Sequence, residues 1–166
     1  MTTAQLVSVE EYLHTSFEHD AEYVEGKIVY RPLPQKPHSK LQTWFARTLY
    51  DAAHPFGYEV WVEQRIRTQH EPRRYRIPDV CLTNGEPIEN VFTSAPVLCI
   101  EILSPEDSAL ELRMKVDEYL AFGVTYVWVI DPVSKAGEIY SGDLIEKISD
   151  AQYTAGAIRI DLSSFD

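Results

Sequence analysis

Two segments set the terms on which this chain can fold. Ile77-Pro78-Asp79-Val80-Cys81-Leu82 and Val97-Leu98-Cys99-Ile100-Glu101-Ile102-Leu103 are apolar on both alternating faces apart from one carboxylate each. Strands buried on both faces belong at the centre of a sheet that is covered on each side. Strands are therefore predicted over Tyr75 to Thr83 and Pro96 to Leu103, joined by Thr125 to Ile130, which is apolar throughout. Asp79 and Glu101 are left as charges in places where charge is costly.

Helices and hairpins frame these strands in an α+β arrangement. Ser8 with Glu11 three residues later forms a capping box and predicts a short helix to about Phe17. Ala21-Glu22-Tyr23-Val24 and Lys27-Ile28-Val29-Tyr30 flank Glu25-Gly26, a two-residue turn that closes an N-terminal β-hairpin. From His38 to about Ala53, the residues Leu41, Trp44, Phe45, Leu49 and Ala52 recur as one helical stripe, stopped by Phe56-Gly57. A strand is expected from Tyr58 to Arg67. Asp107 is placed to cap a helix to Phe122, whose Leu112, Val116, Tyr119 and Leu120 make a buried face, with Gly123 as its stop. The tail, with Glu138 to Ser141 and Leu144 to Ile148 around Gly142-Asp143, reads as edge hairpins. No composition break, linker or repeat divides the 166 residues, so a single domain over 1–166 is expected.

An unpaired buried carboxylate costs several kcal/mol at least, so Asp79 and Glu101 each need a basic partner or a cation. Side chains alternate along a strand, so the two acids point the same way if their strands are neighbours. Two hard oxygen donors converging at a sheet end suit Mg²⁺ or Mn²⁺, which bind through one or two carboxylates plus waters and substrate phosphate. The competing reading is salt bridging to arginines such as Arg76. Phosphodiester hydrolysis also calls for a group that orients water and stabilises charge on phosphorus, commonly a lysine. Leu103, two residues after Glu101, cannot serve. Lys115 stands at the border of its helix's buried face, about 40° from Tyr119 at ~100° per residue, where it can pair with Glu111, snorkel into solvent or reach the acids.

The formal net charge of −11 argues against a polyanionic partner until its distribution is considered. Residues 65 to 76 hold Arg65, Arg67, Arg73, Arg74 and Arg76 with one glutamate, a local charge of +4. This is either a solvated hairpin with scattered charge or a phosphate-binding stretch. The longest apolar run, Tyr126 to Ile130, is far short of the ~20 residues that cross a bilayer. Met1 to Gln5 have no basic region leading into an apolar stretch, so a cytoplasmic location is expected. Cys81 and Cys99 lack the spacing of a zinc or redox site and are expected as buried thiols.

In order and spacing, Glu22-Tyr-Val-Glu25-Gly26, His38 opening a helix, Arg76-Ile-Pro78-Asp79-Val80, Glu101-Ile-Leu-Ser104-Pro105, Lys115 with Tyr119, and Gly123-Val-Thr-Tyr126-Val-Trp128-Val-Ile-Asp131-Pro132 resemble a known pattern. It is that of the PD-(D/E)XK nuclease superfamily, and more closely the Uma-type family of putative restriction endonucleases, over roughly residues 8 to 140. The resemblance implies a restriction-endonuclease-like core with a mixed sheet flanked by helices. It implies Asp79 and Glu101 as metal ligands, helped by the Ile102 carbonyl, and Glu22 as the N-terminal acid completing the site. Leu103 stands where the superfamily has lysine, and the resemblance implies Lys115 as the migrated replacement.

The function expected is Mg²⁺- or Mn²⁺-dependent hydrolysis of DNA by Asp79, Glu101, Lys115 and Glu22, with the five arginines neutralising phosphates. The rival is a nuclease fold that has lost turnover and keeps DNA or partner contact. A glycosidase-like acid pair has no support, because strand-borne acids beside an arginine cluster suit phosphate better than sugar. A homodimer is expected, since cutting both strands needs two sites. His38 can lie close to the site, and a helix-capping or surface role is the reading preferred for it.

Overall fold

The computed structural model describes residues 6–165, so the N-terminal stretch read for a leader, residues 1–5, lies outside the described residues. Along the chain come α1 (Val9–His14), β1 (Ala21–Val24), β2 (Lys27–Tyr30), α2 (Lys36–Ala53), β3 (Tyr58–Val62), β4 (Ile66–Gln69), β5 (Arg74–Arg76), β6 (Val80–Asn84) and β7 (Leu98–Ile102). There follow α3 (Ala109–Phe122), β8 (Tyr126–Ile130), β9 (Gly137–Ser141), β10 (Leu144–Ile148), β11 (Gln152–Ala155) and β12 (Ile158–Asp161). A six-stranded sheet runs β10-β9-β8-β7-β6-β3, a four-stranded one β2-β1-β5-β4, and β11 pairs with β12. The large sheet is mixed, because β7 and β8 are parallel and α3 makes the crossover between them. No helix among the described residues is long and apolar enough to cross a membrane.

Each face of the large sheet is covered. Leu41, Phe45 and Leu49 of α2, with Tyr153, Ile158 and Ile160 of β11 and β12, pack on Val80, Leu82, Leu98, Ile100, Trp128 and Ile130. Val116 and Tyr119 of α3 pack on Cys81, Cys99, Val127 and Val129 of the other face. Each fully buried side chain of this size contributes about 1.5–3 kcal/mol. Cys81 and Cys99 are free, buried and opposite one another, and burial pushes both thiols up. The β8–β9 pair approaches so closely that a Cβ on Gly137 would run into the Val129 carbonyl oxygen, so no other residue fits there.

Two long strands expected from sequence are each divided. Tyr58 to Arg67 breaks at Glu63, whose φ is 51°, and delivers β3 to the large sheet and β4 to the small one. Tyr75 to Thr83 breaks at Ile77-Pro78-Asp79, sending β5 to the small sheet and β6 to the large one. Pro78 has no N–H to give a ladder, which favours a break at that point. The crossings run side by side, with the Glu63 N–H donating to the Asp79 carbonyl at 3.2 Å.

Smaller corrections have local causes. The first helix carries the expected Ser8 cap but stops at His14, and Phe17 leaves it to set its ring 5.8 Å from Tyr12. The second starts at Lys36 with a proline in its first turn, a position that tolerates the missing N–H. Ser108, not Asp107, caps α3, and Asp107 instead accepts from the Ser104 N–H at 2.7 Å. Gly123 ends α3 at φ 112°. The β9–β10 hairpin forms the sheet edge around Gly142-Asp143. The β11–β12 hairpin was not foreseen and lies inward, where the Trp128 indole N–H donates to the Thr154 carbonyl at 3.1 Å.

Candidate active site

The break at Pro78 leaves Asp79 at the sheet end, and β6–β7 register then places it. Val80 faces Ile100, and one further step sets Asp79 opposite Glu101 on the face covered by α3. The Asp79 N–H donates to the Ile100 carbonyl at 3.1 Å, and its Oδ2 accepts from the Ile102 N–H at 2.7 Å. Its Oδ1 takes the Arg31 guanidinium and lies 3.2 Å from His38 Nε2. Burial would raise this carboxyl, but the His38 hydrogen bond and the Arg31 charge outweigh it and hold the pKa below its ordinary value.

Glu101 accepts from the Tyr119 hydroxyl at 2.7 Å through Oε1 and from Lys115 Nζ at 3.2 Å through Oε2. Burial pushes it up to about 7 against the pull of Lys115, with the Asp79 charge adding to the rise. Glu22, from β1, accepts from the Ile77 N–H at 3.0 Å, Arg76 Nη1 at 2.9 Å and Lys115 Nζ at 2.9 Å. Here burial is outweighed by Lys115 and Arg76, and the pKa is lowered. Lys115 thus bridges two buried acids on different elements; burial alone would lower its pKa, and Glu101 with Glu22 raises it instead. Leu103 is a half-buried apolar residue packed in the α3 cluster.

These groups line one cleft of about 690 Å³ that includes Glu22, Arg31, His38, Asp79, Glu101, Ile102 and Lys115. Among the described residues no three His, Cys, Asp or Glu side chains stand grouped as a metal-holding set, and Arg31 and Lys115 lie among the acids.

The five clustered arginines go to different places. Arg76 lines the cleft, bidentate to Glu118 at 2.6 and 2.7 Å as well as bound to Glu22. Arg74 binds Glu118 at 2.7 Å and Glu25. The Arg65 guanidinium lies 4.9 Å from the Tyr12 ring centre. On the β4–β5 hairpin, Arg67 is half-buried and Arg73 exposed.

Three participants were not assigned to the site from sequence. Arg31 sits alone in the proline-rich loop, where no periodicity marks its direction. His38 is buried against Asp79, and Gln35 occupies the helix N-cap, so His38 neither caps the helix nor lies on the surface. Tyr119 was legible as core; its spacing of four from Lys115 was the clue that its hydroxyl faces the same acid.

A family model described as "Uma2: Putative restriction endonuclease" matches residues 9–163. The chain is also similar to a solved structure, that of a putative nuclease belonging to DUF820 from Anabaena variabilis ATCC 29413. The two are 26% identical, with 95% of this chain and 96% of that one covered and a TM-score of 0.81. No curated protein matches the chain.

Proposed function

The chain belongs to the Uma2 family of putative restriction endonucleases, and from that membership, which supports a nuclease-type function, we propose that it hydrolyses phosphodiester bonds in DNA with Mg²⁺ or Mn²⁺. The observation that carries this reading is the convergence of Asp79, Glu101, Glu22 and the Lys115 ammonium in one cleft. The donor set fits a hard cation: Asp79 and Glu101 offer carboxylate oxygens from adjoining strands, while Glu22 holds Lys115 and Arg76 at the same cleft. Asp79 and Glu101 would hold the ion, with the Ile102 carbonyl beside them. When bound, it would polarise a phosphoryl oxygen and acidify a water. Lys115 stays charged at neutral pH, so it works as a donor from Nζ, orienting the attacking water and stabilising negative charge on phosphorus. Two copies would supply the two sites that double-strand cleavage needs.

Supercoiled plasmid is expected to be nicked or linearised with Mg²⁺ and spared when EDTA is present. At limiting Mg²⁺ the rate should rise through about pH 7, because Glu101 must lose its proton to take up a cation. Cutting of RNA alone would remove the DNA assignment. The rival reading, a module without turnover, is favoured by the ion-paired state of Asp79, and it predicts duplex binding with no cleavage under any divalent ion.

The arginine stretch makes a separate contribution to binding. The double change Arg73→Ala and Arg74→Ala is expected to lower the slope of log affinity against log salt by roughly one unit, not two, for about one released counterion per phosphate contact. Arg74 is already engaged by Glu25 and Glu118, which leaves Arg73 to meet phosphate. Anisotropy titrations across a salt series measure the slope. An unchanged slope would place neither arginine on DNA.

A further inference from the structure

Three cations face the buried acids, and they are not equivalent. Lys115 joins Glu22 to Glu101, and Arg76 joins Glu22 to Glu118, so each ties two acids together and its departure would loosen both. Among the described residues Arg31 binds one buried acid only, through Asp79 Oδ1, and its Nη1 is 3.9 Å from the half-exposed carboxylate of Asp20 at the cleft mouth. Asp79 without Arg31 would keep the Ile102 N–H and the His38 contact. The Arg31 backbone is pinned by its N–H to the Asp20 carbonyl at 3.0 Å, so the side chain can swing while the main chain stays.

Resting on the nuclease reading, we propose that Arg31 is a substrate-responsive lock on the metal position: without DNA its guanidinium holds Asp79 Oδ1 in place of the cation, and a backbone phosphate entering the cleft draws it off. A guanidinium and a divalent ion cannot share one carboxylate oxygen without strong like-charge repulsion at that range. Phosphate offers a planar guanidinium a bidentate partner that a single Asp79 oxygen does not. Substrate and metal then assist one another's binding, and the site is kept from loading metal while the cleft holds no nucleic acid.

Calorimetry of Mn²⁺ binding to the wild-type chain and to Arg31→Gln tests this, since glutamine keeps a donor for Asp79 and drops the charge. The variant is expected to bind Mn²⁺ on the order of ten-fold tighter without DNA, because removing one adjacent positive charge favours the ion. A purely structural role for Arg31 would give the opposite sign. A phosphorothioate duplex should then tighten Mn²⁺ binding more in the wild type than in the variant, after subtraction of ion taken up by the duplex itself. Equal or weaker Mn²⁺ binding by the variant overturns the lock and leaves the nuclease reading standing. An equal effect of the duplex on both proteins overturns the role given to phosphate. Absence of Mn²⁺ binding in both overturns the metal reading and the lock with it. If Arg31→Gln is not folded by circular dichroism, Arg31→Lys, shorter and still charged, is expected to bind Mn²⁺ more tightly than the wild type by a smaller factor, and no gain would overturn the lock.

Discussion

Asp79→Asn and Glu101→Gln are each expected to abolish metal-dependent DNA cleavage, by about 10³-fold or more, while the chain stays folded. That magnitude follows from losing several kcal/mol of charge stabilisation supplied by the ion, at ~1.4 kcal/mol per ten-fold in rate. The amides are chosen because they keep an acceptor for the Ile102 N–H and the Tyr119 hydroxyl, the contacts that seat each side chain. Mn²⁺ calorimetry on each variant should show a large loss of affinity, with circular dichroism unchanged. Wild-type Mn²⁺ affinity in either variant would refute its place as a ligand.

Lys115→Met is expected to have two effects at once. Its ammonium is shared by Glu22 and Glu101, so its removal leaves two buried carboxylates short of a partner, at a cost of about 3–5 kcal/mol. That is a large part of the ~5–15 kcal/mol by which a domain is stable, and a clear fall in the denaturation midpoint should result. Turnover should fall by roughly 10²–10⁴-fold, the range of a positioned proton-handling or charge-stabilising group. The double variant Lys115→Met with Glu22→Gln, compared with Glu22→Gln alone, separates the effects, since it restores charge balance without restoring the ammonium. It should recover stability and not turnover. Recovery of both would make Lys115 a structural residue only.

Elements whose logic is local were legible in the sequence. The Glu25-Gly26 turn has positive φ at both positions, 52° and 89°, and Gly26 supplies the second without steric cost. Apolar character on both faces located β6, β7 and β8 inside the sheet, and side-chain alternation set Asp79 and Glu101 on one face once their strands were neighbours. Capping chemistry marked Ser8 and Gly123, and a helical stripe marked α2. The family resemblance brought in Glu22, which no periodicity links to the two strands, and chose for Lys115 among the fates its helix position left open.

What tertiary structure decided was the pairing of charges. A window count made residues 65 to 76 a +4 stretch, yet Arg74 and Arg76 meet Glu22, Glu25 and Glu118, which lie 42 to 54 residues away. Arg31 reaches Asp79 across 48 residues, and His38 turns to the same oxygen. The division of two predicted strands between sheets belongs here too, because each half separately has ordinary strand character. Alternation, helical period and turn chemistry are properties of neighbouring residues, so the sequence alone determines them. A buried charge is held by whichever opposite charge the packed chain brings within about 4 Å, and desolvation makes that choice obligatory only after the sheets have formed.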